Sequence, residues 1–151
     1  MAHEVEPLDA SLWFYRIEMI ARRELAIENS LRHASHLLQL APLALRPIVR
    51  LATNEDHFEA LLDAGDFDAA ARHLVAQPTA LAVETSSDGT QVTAAISCVV
   101  LKRVITGGGT TEAAAVLDAW TTCLLAIRAR FGEDLEGLCA GSISGLTNTS
   151  H

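Results

Sequence analysis

The chain has 151 residues, half of them hydrophobic and a fifth charged, which predicts one globular domain rather than a disordered chain. Acidic residues outnumber basic ones 19 to 11, and the net charge of −8 repels phosphate backbones and argues against a nucleic-acid partner. No apolar run approaches the ~20 residues of a spanning helix, so no membrane partner is expected.

Residues Met1 to Leu8 carry neither a basic stretch nor an apolar one, so no secretory signal is expected there. Three cysteines, Cys98, Cys123 and Cys139, are odd in number and widely spaced. They match neither a zinc pattern nor a redox CxxC, and with the missing signal they predict a reducing, cytoplasmic compartment. The basic residues form only small groups, such as Arg22-Arg23 and Lys102-Arg103, without a focused patch.

A first helix is predicted from Asp9, its cap, to about Gln39, with Leu8 stapled on Trp13. Its apolar residues recur at alternating four- and three-residue steps: Trp13, Ile17, Ile20, then Glu24, then Ile27, Leu31, Ala34 and Leu38. That spacing keeps one stripe aimed at a partner helix. Trp13, Ile17, Ile20, Glu24, Ile27 and Leu31 are therefore the candidate interface of a homodimer, with Glu24 as a polar register-setting residue. Asn29-Ser30 is the expected weak point of this helix, because both side chains compete for backbone hydrogen bonds.

Pro42 and Pro47 break up the next stretch. Thr53 or Asn54 then caps a helix carrying Phe58, Leu61 and Leu62. Gly65 closes it, and Asp66 caps another helix with Phe67, Ala70 and Leu74, ended by Pro78. Gly65-Asp66-Phe67 with Ala70 and Leu74 is similar to half a tetratricopeptide unit, but no second copy follows.

The period then changes to two. Leu81, Val83 and Thr85 precede Asp88-Gly89, and Val92, Ala94 and Ile96 follow it. A two-residue Asp-Gly turn pairs Thr85 with Val92, Val83 with Ala94 and Leu81 with Ile96, all on one face. Gly107-Gly108-Gly109 is taken as a flexible break. A long last helix is predicted from Glu112 to Phe131, with Val116, Trp120, Cys123, Leu124 and Ile127 as its stripe and Gly132 as its stop. The fold class is thus α+β, mainly α: a long N-terminal helix, short helices, one hairpin and a long C-terminal helix. Residues 1–140 form the domain and 141–151 a Ser/Gly/Thr/Asn-rich tail.

Helices, a hairpin and a helix is also the order of a winged-helix reader. The helix before the hairpin here offers Asp66 and Asp68 beside Arg72 and His73, which opposes phosphate. His33 and His36 lie one turn apart with Glu28 upstream, a partial metal set whose plainer reading is a polar helix face. His57 among Asn54, Glu55, Asp56 and Glu59 has acid–base potential, or is simply part of an acidic helix start. Gly107, Gly108, Gly109, Thr110 and Thr111 ahead of a helix offer amides and hydroxyls to an anion, although no Walker lysine follows. No catalytic residues, metal site or cofactor is assigned. The first functional expectation is a small non-catalytic interaction or regulatory protein that buries apolar helix faces against a protein partner or a second copy. The alternative is a protein or enzyme binding a small anionic ligand near Gly107–Thr111.

Overall fold

A computed structural model describes residues 9–131 apart from 23, 43, 44 and 47. The expectations for the Leu8 staple, the Gly132 stop, Cys139 and the tail lie outside the described residues. The fold is α+β and mainly α, with helices α1 (Ala10–Ala21), α2 (Ile27–Gln39), α3 (Glu55–Asp63), α4 (Phe67–Arg72) and α5 (Glu112–Phe131). Strands β1 (Leu81–Thr85), β2 (Val92–Cys98) and β3 (Arg103–Gly109) form an antiparallel meander in the order β1-β2-β3.

The continuous first helix divides in two. Asp9 caps α1 as expected, its carboxylate accepting from the Ser11 N–H at 3.1 Å. The break falls after Ala21, upstream of Asn29-Ser30, and leaves Glu24 and Leu25 exposed. In one straight helix Trp13 and Leu37, 24 residues apart, would stand about 36 Å from each other. Instead the Trp13 indole N–H donates to the Leu37 carbonyl at 2.7 Å in the interior. α2 therefore folds back on α1, and the stripe is spent on intrachain packing. Trp13, Ile17, Ile20 and Leu31 are all at most 1% exposed within the single chain, and Ile27 is half-buried.

Capping works largely as the residue types dictate. Asn54 accepts from the His57 N–H at 2.7 Å at the start of α3, and Asp66 accepts from the Ala69 N–H at 3.3 Å at the start of α4. Gly65, at φ 77°, closes α3 with paired bonds from Gly65 to Leu62 and from Asp66 to Leu61, a Schellman arrangement that favours glycine. Helix α4 is shorter than predicted. A 3₁₀ turn over Pro78–Ala80 leads into the sheet.

The β1–β2 register is the predicted one: Leu81 opposite Ile96, Val83 opposite Ala94, Thr85 opposite Val92. The tip is wider than a two-residue turn. Ser86 N–H donates to Gln91 C=O and Gly89 N–H to Ser86 C=O, so the chain turns over residues 87–90. Two- and four-residue loops with the same centre give the same pairing, which is why the register survives. The Asp88 carboxylate accepts from the Ser86 and Thr90 hydroxyls and the Thr90 N–H, and these bonds hold its pKa down to about 2.

The triple glycine is strand, not a break. After a turn in which Lys102 takes φ 56°, β3 pairs with β2 from Cys98–Arg103 to Val92–Gly109. Helix α5 lies between the sheet on one side and α1, α2 and α4 on the other, and so is buried around most of its circumference. On the opposite face of the sheet Ala82, Thr93, Val104 and Thr106 are exposed, and no described element covers them.

Candidate functional site

At the start of α5 several backbone amides are engaged by the protein's own side chains. The Asp68 carboxylate accepts from the Ala113 N–H at 2.9 Å, and the Thr111 hydroxyl accepts from the Ala114 N–H at 3.1 Å. The Gly108 N–H donates to Asp118 at 2.9 Å. Gly107 and Gly109 face α5 so closely that an added Cβ would stand 2.2 Å from the Ala119 nitrogen and 2.7 Å from the Ala114 Cβ, respectively. Glycine here permits a close approach of strand to helix. Arg72 bonds Glu112, so α4 is fastened to the start of α5 by both Asp68 and Arg72 rather than displayed as a reader helix.

The histidines among the described residues are distributed over two places. His33 and His36 lie on α2, and Glu28 is engaged by Arg32, which also reaches Glu59 and Asp63 on α3. His57 meets His73 edge to face, with ring centroids 5.5 Å apart. Among the described residues no three His, Cys, Asp or Glu side chains are arranged to hold a metal ion. Burial lowers the pKa of His33, aided by Arg16 and His36, and burial lowers that of His73, aided by His57.

The sign of the resulting pH dependence follows directly. A histidine whose folded pKa lies below 6.5 binds less proton when folded than when unfolded as pH falls through 6.5. Stability is therefore full above pH 6.5 and declines toward the lowered folded values. Asp88 acts in a separate window, below its ordinary 3.8. Urea midpoints at pH 7.5 and 5.5 should show the decline, and His73→Gln should shrink it. A midpoint that does not fall between these pH values would contradict the assignment.

A concave feature of the fold lies elsewhere, between α5, the β2–β3 turn and the chain that follows α4. It is a cleft of about 120 Å³ walled by Val49, Leu74, Val75, Ile96, Trp120 and Leu124, among others. Among the described residues, Gln77 and Ser97 supply the polar side chains in the wall apart from its two thiols, and no charged side chain lines it. None of the five residues Gly107–Thr111 belongs to it. Cys98, the last residue of β2, and Cys123 on α5 both line it; both are free and buried, each 9% exposed. Burial pushes the Cys123 thiol up to about 12, with a further upward push from the neighbouring Cys98. At the rim Val99 is 80% exposed.

The periodicity of the last helix puts Cys123 on its apolar stripe but does not bring it to Cys98. The signal was available in part. Cys98 continues the inward alternation Val92, Ala94, Ile96, and Cys123 lies one turn from Trp120 on the α5 stripe. Their meeting depends on α5 crossing β2, which local periodicity does not encode.

No protein-family model matches the chain, and neither a curated protein nor a solved structure is found that matches it. Among the described residues no helix is long and apolar enough to cross a membrane. What defines the protein's class is thus its architecture, a three-stranded meander with one long helix packed between it and α1, α2 and α4.

Proposed function

We propose that this chain is a non-catalytic binding protein whose ligand is a small apolar molecule held in the cleft between α5, the β2–β3 turn and the segment after α4. The observation that carries this reading is the composition of the wall, almost wholly aliphatic and aromatic around about 120 Å³. An apolar cavity of roughly 150 Å³ takes up benzene, so the space suits a six- to eight-carbon group. It is too small for the row of anchors that a docked helix presents. Among the described residues no charged side chain lines the wall, which fits binding rather than acid–base chemistry.

The test is a thermal-shift series with n-hexanol, toluene and indole, followed by titration on the methyl NMR signals of Val49, Leu74 and Leu124. Stabilisation with shifts confined to these methyls is expected. Ala80→Phe, which places a ring at a half-buried wall position, should abolish the shifts while the circular dichroism spectrum stays unchanged. Binding that is indifferent to Ala80→Phe, or no binding by any of the three, would overturn the reading.

A second reading, the homodimer, is favoured by the uncovered sheet face, where Val104 is 56% exposed beside small side chains. Two such faces can stack about 10 Å apart. Light scattering would then give twice the chain mass, reduced to one by Val104→Arg. A single-chain mass at high concentration would exclude it.

A further inference from the structure

The wall of the cleft is apolar, but the chain around its mouth is basic in a protein that is acidic as a whole. The wall residues fall in four stretches, 45–54, 69–83, 89–111 and 119–131, and these contain none of the 19 acidic residues. Of their arginines, Arg46 donates to the Ala41 and Gln39 carbonyls, Arg72 pairs with Glu112, Arg128 pairs with Glu18, and Arg130 lies over the Phe131 ring. Arg50, Lys102 and Arg103 are exposed, and no carboxylate among the described residues pairs with them. Backbone geometry ties each of the three to the cleft. Arg50 directly follows Ile48 and Val49, both in the wall. The Lys102 N–H donates to the Val99 carbonyl at 3.2 Å, which closes the β2–β3 turn and keeps Lys102 beside this rim residue. Arg103 stands opposite Cys98 in the β2–β3 ladder. Residues directly opposite share a face of the sheet, so Arg103 lies on the inner face with Cys98, Ile105 and Gly107, at the end where that face runs out into solvent.

We propose that the cleft takes the hydrocarbon chain of a medium-length amphiphile whose anionic head stays at the mouth, among Arg50, Lys102 and Arg103. An eight-carbon carboxylate is the simplest such ligand. The inference rests on the proposed use of the cleft and adds the class of its occupant. A charged head inside the wall would be desolvated and unpaired, so it stays outside. The space of about 120 Å³ suits six to eight carbons, which brings a head at the end of such a chain level with the rim. There a carboxylate accepts charge-assisted hydrogen bonds from arginine and lysine. Over the rest of a chain with net charge −8 the same head meets repulsion. A neutral head gains nothing from the three cations, and an ammonium head is repelled by them.

The experiment titrates the full chain with octanoate, n-octanol and octylammonium by calorimetry, at low and at high salt. Octanoate should bind about tenfold more tightly than n-octanol at low salt, the sum of three exposed charge contacts, and the margin should shrink at high salt. Octylammonium should bind more weakly than n-octanol. Among carboxylates, affinity should rise about fourfold per methylene from butanoate to octanoate and then level off as the chain outgrows the cleft. The triple variant Arg50→Gln, Lys102→Asn, Arg103→Gln alters exposed side chains alone, and asparagine suits the Lys102 φ of 56°. With an unchanged circular dichroism spectrum, it should lose the octanoate margin and keep its affinity for n-octanol. Equal binding of octanoate and n-octanol, or a margin that survives the triple variant, overturns the anionic head and leaves the apolar cleft standing. Octanoate binding that is lost in the triple variant but indifferent to Ala80→Phe shows that the chain does not enter the cleft, and overturns the inference. No binding of any of the three probes overturns both readings.

Discussion

Gly107→Ala is expected to cost about 3 kcal/mol or more, although it adds one methyl group. The new Cβ would stand 2.2 Å from the Ala119 nitrogen and 2.7 Å from both the Ala119 Cα and the Asp118 carbonyl carbon. All three are backbone atoms of α5, so no side chain can turn aside. Either the helix shifts away from the sheet or β3 leaves its register. Ordinary overpacking of a core costs about 1–3 kcal/mol, and displacing the element around which the whole core is arranged belongs at or beyond the upper end. The neighbouring glycines calibrate the effect. At Gly109 the nearest obstacle is the Ala114 Cβ at 2.7 Å, with the Ala115 nitrogen at 3.1 Å, so Gly109→Ala should be intermediate. At Gly108 the nearest atom is the Val92 carbonyl oxygen at 3.6 Å, ordinary contact, and Gly108→Ala should be within about 0.5 kcal/mol of neutral. Urea unfolding of the three variants gives the ranking. If Gly107→Ala were as stable as Gly108→Ala, the tight strand–helix approach would be wrong.

That ranking also separates packing from ligand binding as the reason for the three glycines. A loop built to cradle an anion would tolerate alanine in stability and lose only ligand. Here Asp68, Thr111 and Asp118 already accept from the Ala113, Ala114 and Gly108 N–H groups, so these three amides are engaged within the chain. A carboxylate from α4 occupies the place an external phosphate would take, where the helix dipole favours negative charge.

Much of the local structure was legible in the residues, and the failures share one cause. Caps at Asp9, Asn54 and Asp66, the glycine stop at Gly65 and the β1–β2 register depend on neighbours in sequence, and they fall where the residue types put them. The third strand was hidden because Gly107-Gly108-Gly109 weighs against strand locally. The pressure for glycine at Gly107 and Gly109 comes from α5, at Asp118–Ala119 and Ala114–Ala115 respectively, further along the chain. The 22–26 break was hidden for the same reason. Arg22, Glu24 and Leu25 contain no breaker, and the four–three stripe runs through Glu24 without interruption. A repeat of that kind shows that a face is packed, but not whether its partner is another chain or the same chain folded back. The cleft follows this rule too, since its wall draws on residues from Ile48 to Ile127 that only the tertiary fold brings together.

The helical hairpin α1–α2 supplies the decisive check on that fold-back, because one side chain closes it. Trp13 is fully buried, meets Phe14 edge-on with centroids 5.1 Å apart, and donates its indole N–H to Leu37 in α2. Trp13→Ala removes the largest side chain in this part of the core, which typically costs about 3–5 kcal/mol. It also removes the indole hydrogen bond, worth about 0.5–1.5 kcal/mol net, while the Leu37 carbonyl keeps its bond from the Leu40 N–H at 3.0 Å. Against a total stability of about 5–15 kcal/mol for a domain, the variant should be largely unfolded or aggregate at 37 °C. Trp13→Phe separates the two contributions. It retains much of the burial and loses the hydrogen bond, and should cost about 1–3 kcal/mol. A continuous helix offering the same stripe to a second copy predicts something else, namely that Trp13→Ala lowers the oligomer mass while the single chain stays folded. Urea unfolding followed by circular dichroism, with light scattering at each protein concentration, distinguishes the two. A loss below about 1 kcal/mol for Trp13→Ala would mean that Trp13 does not join α1 to α2.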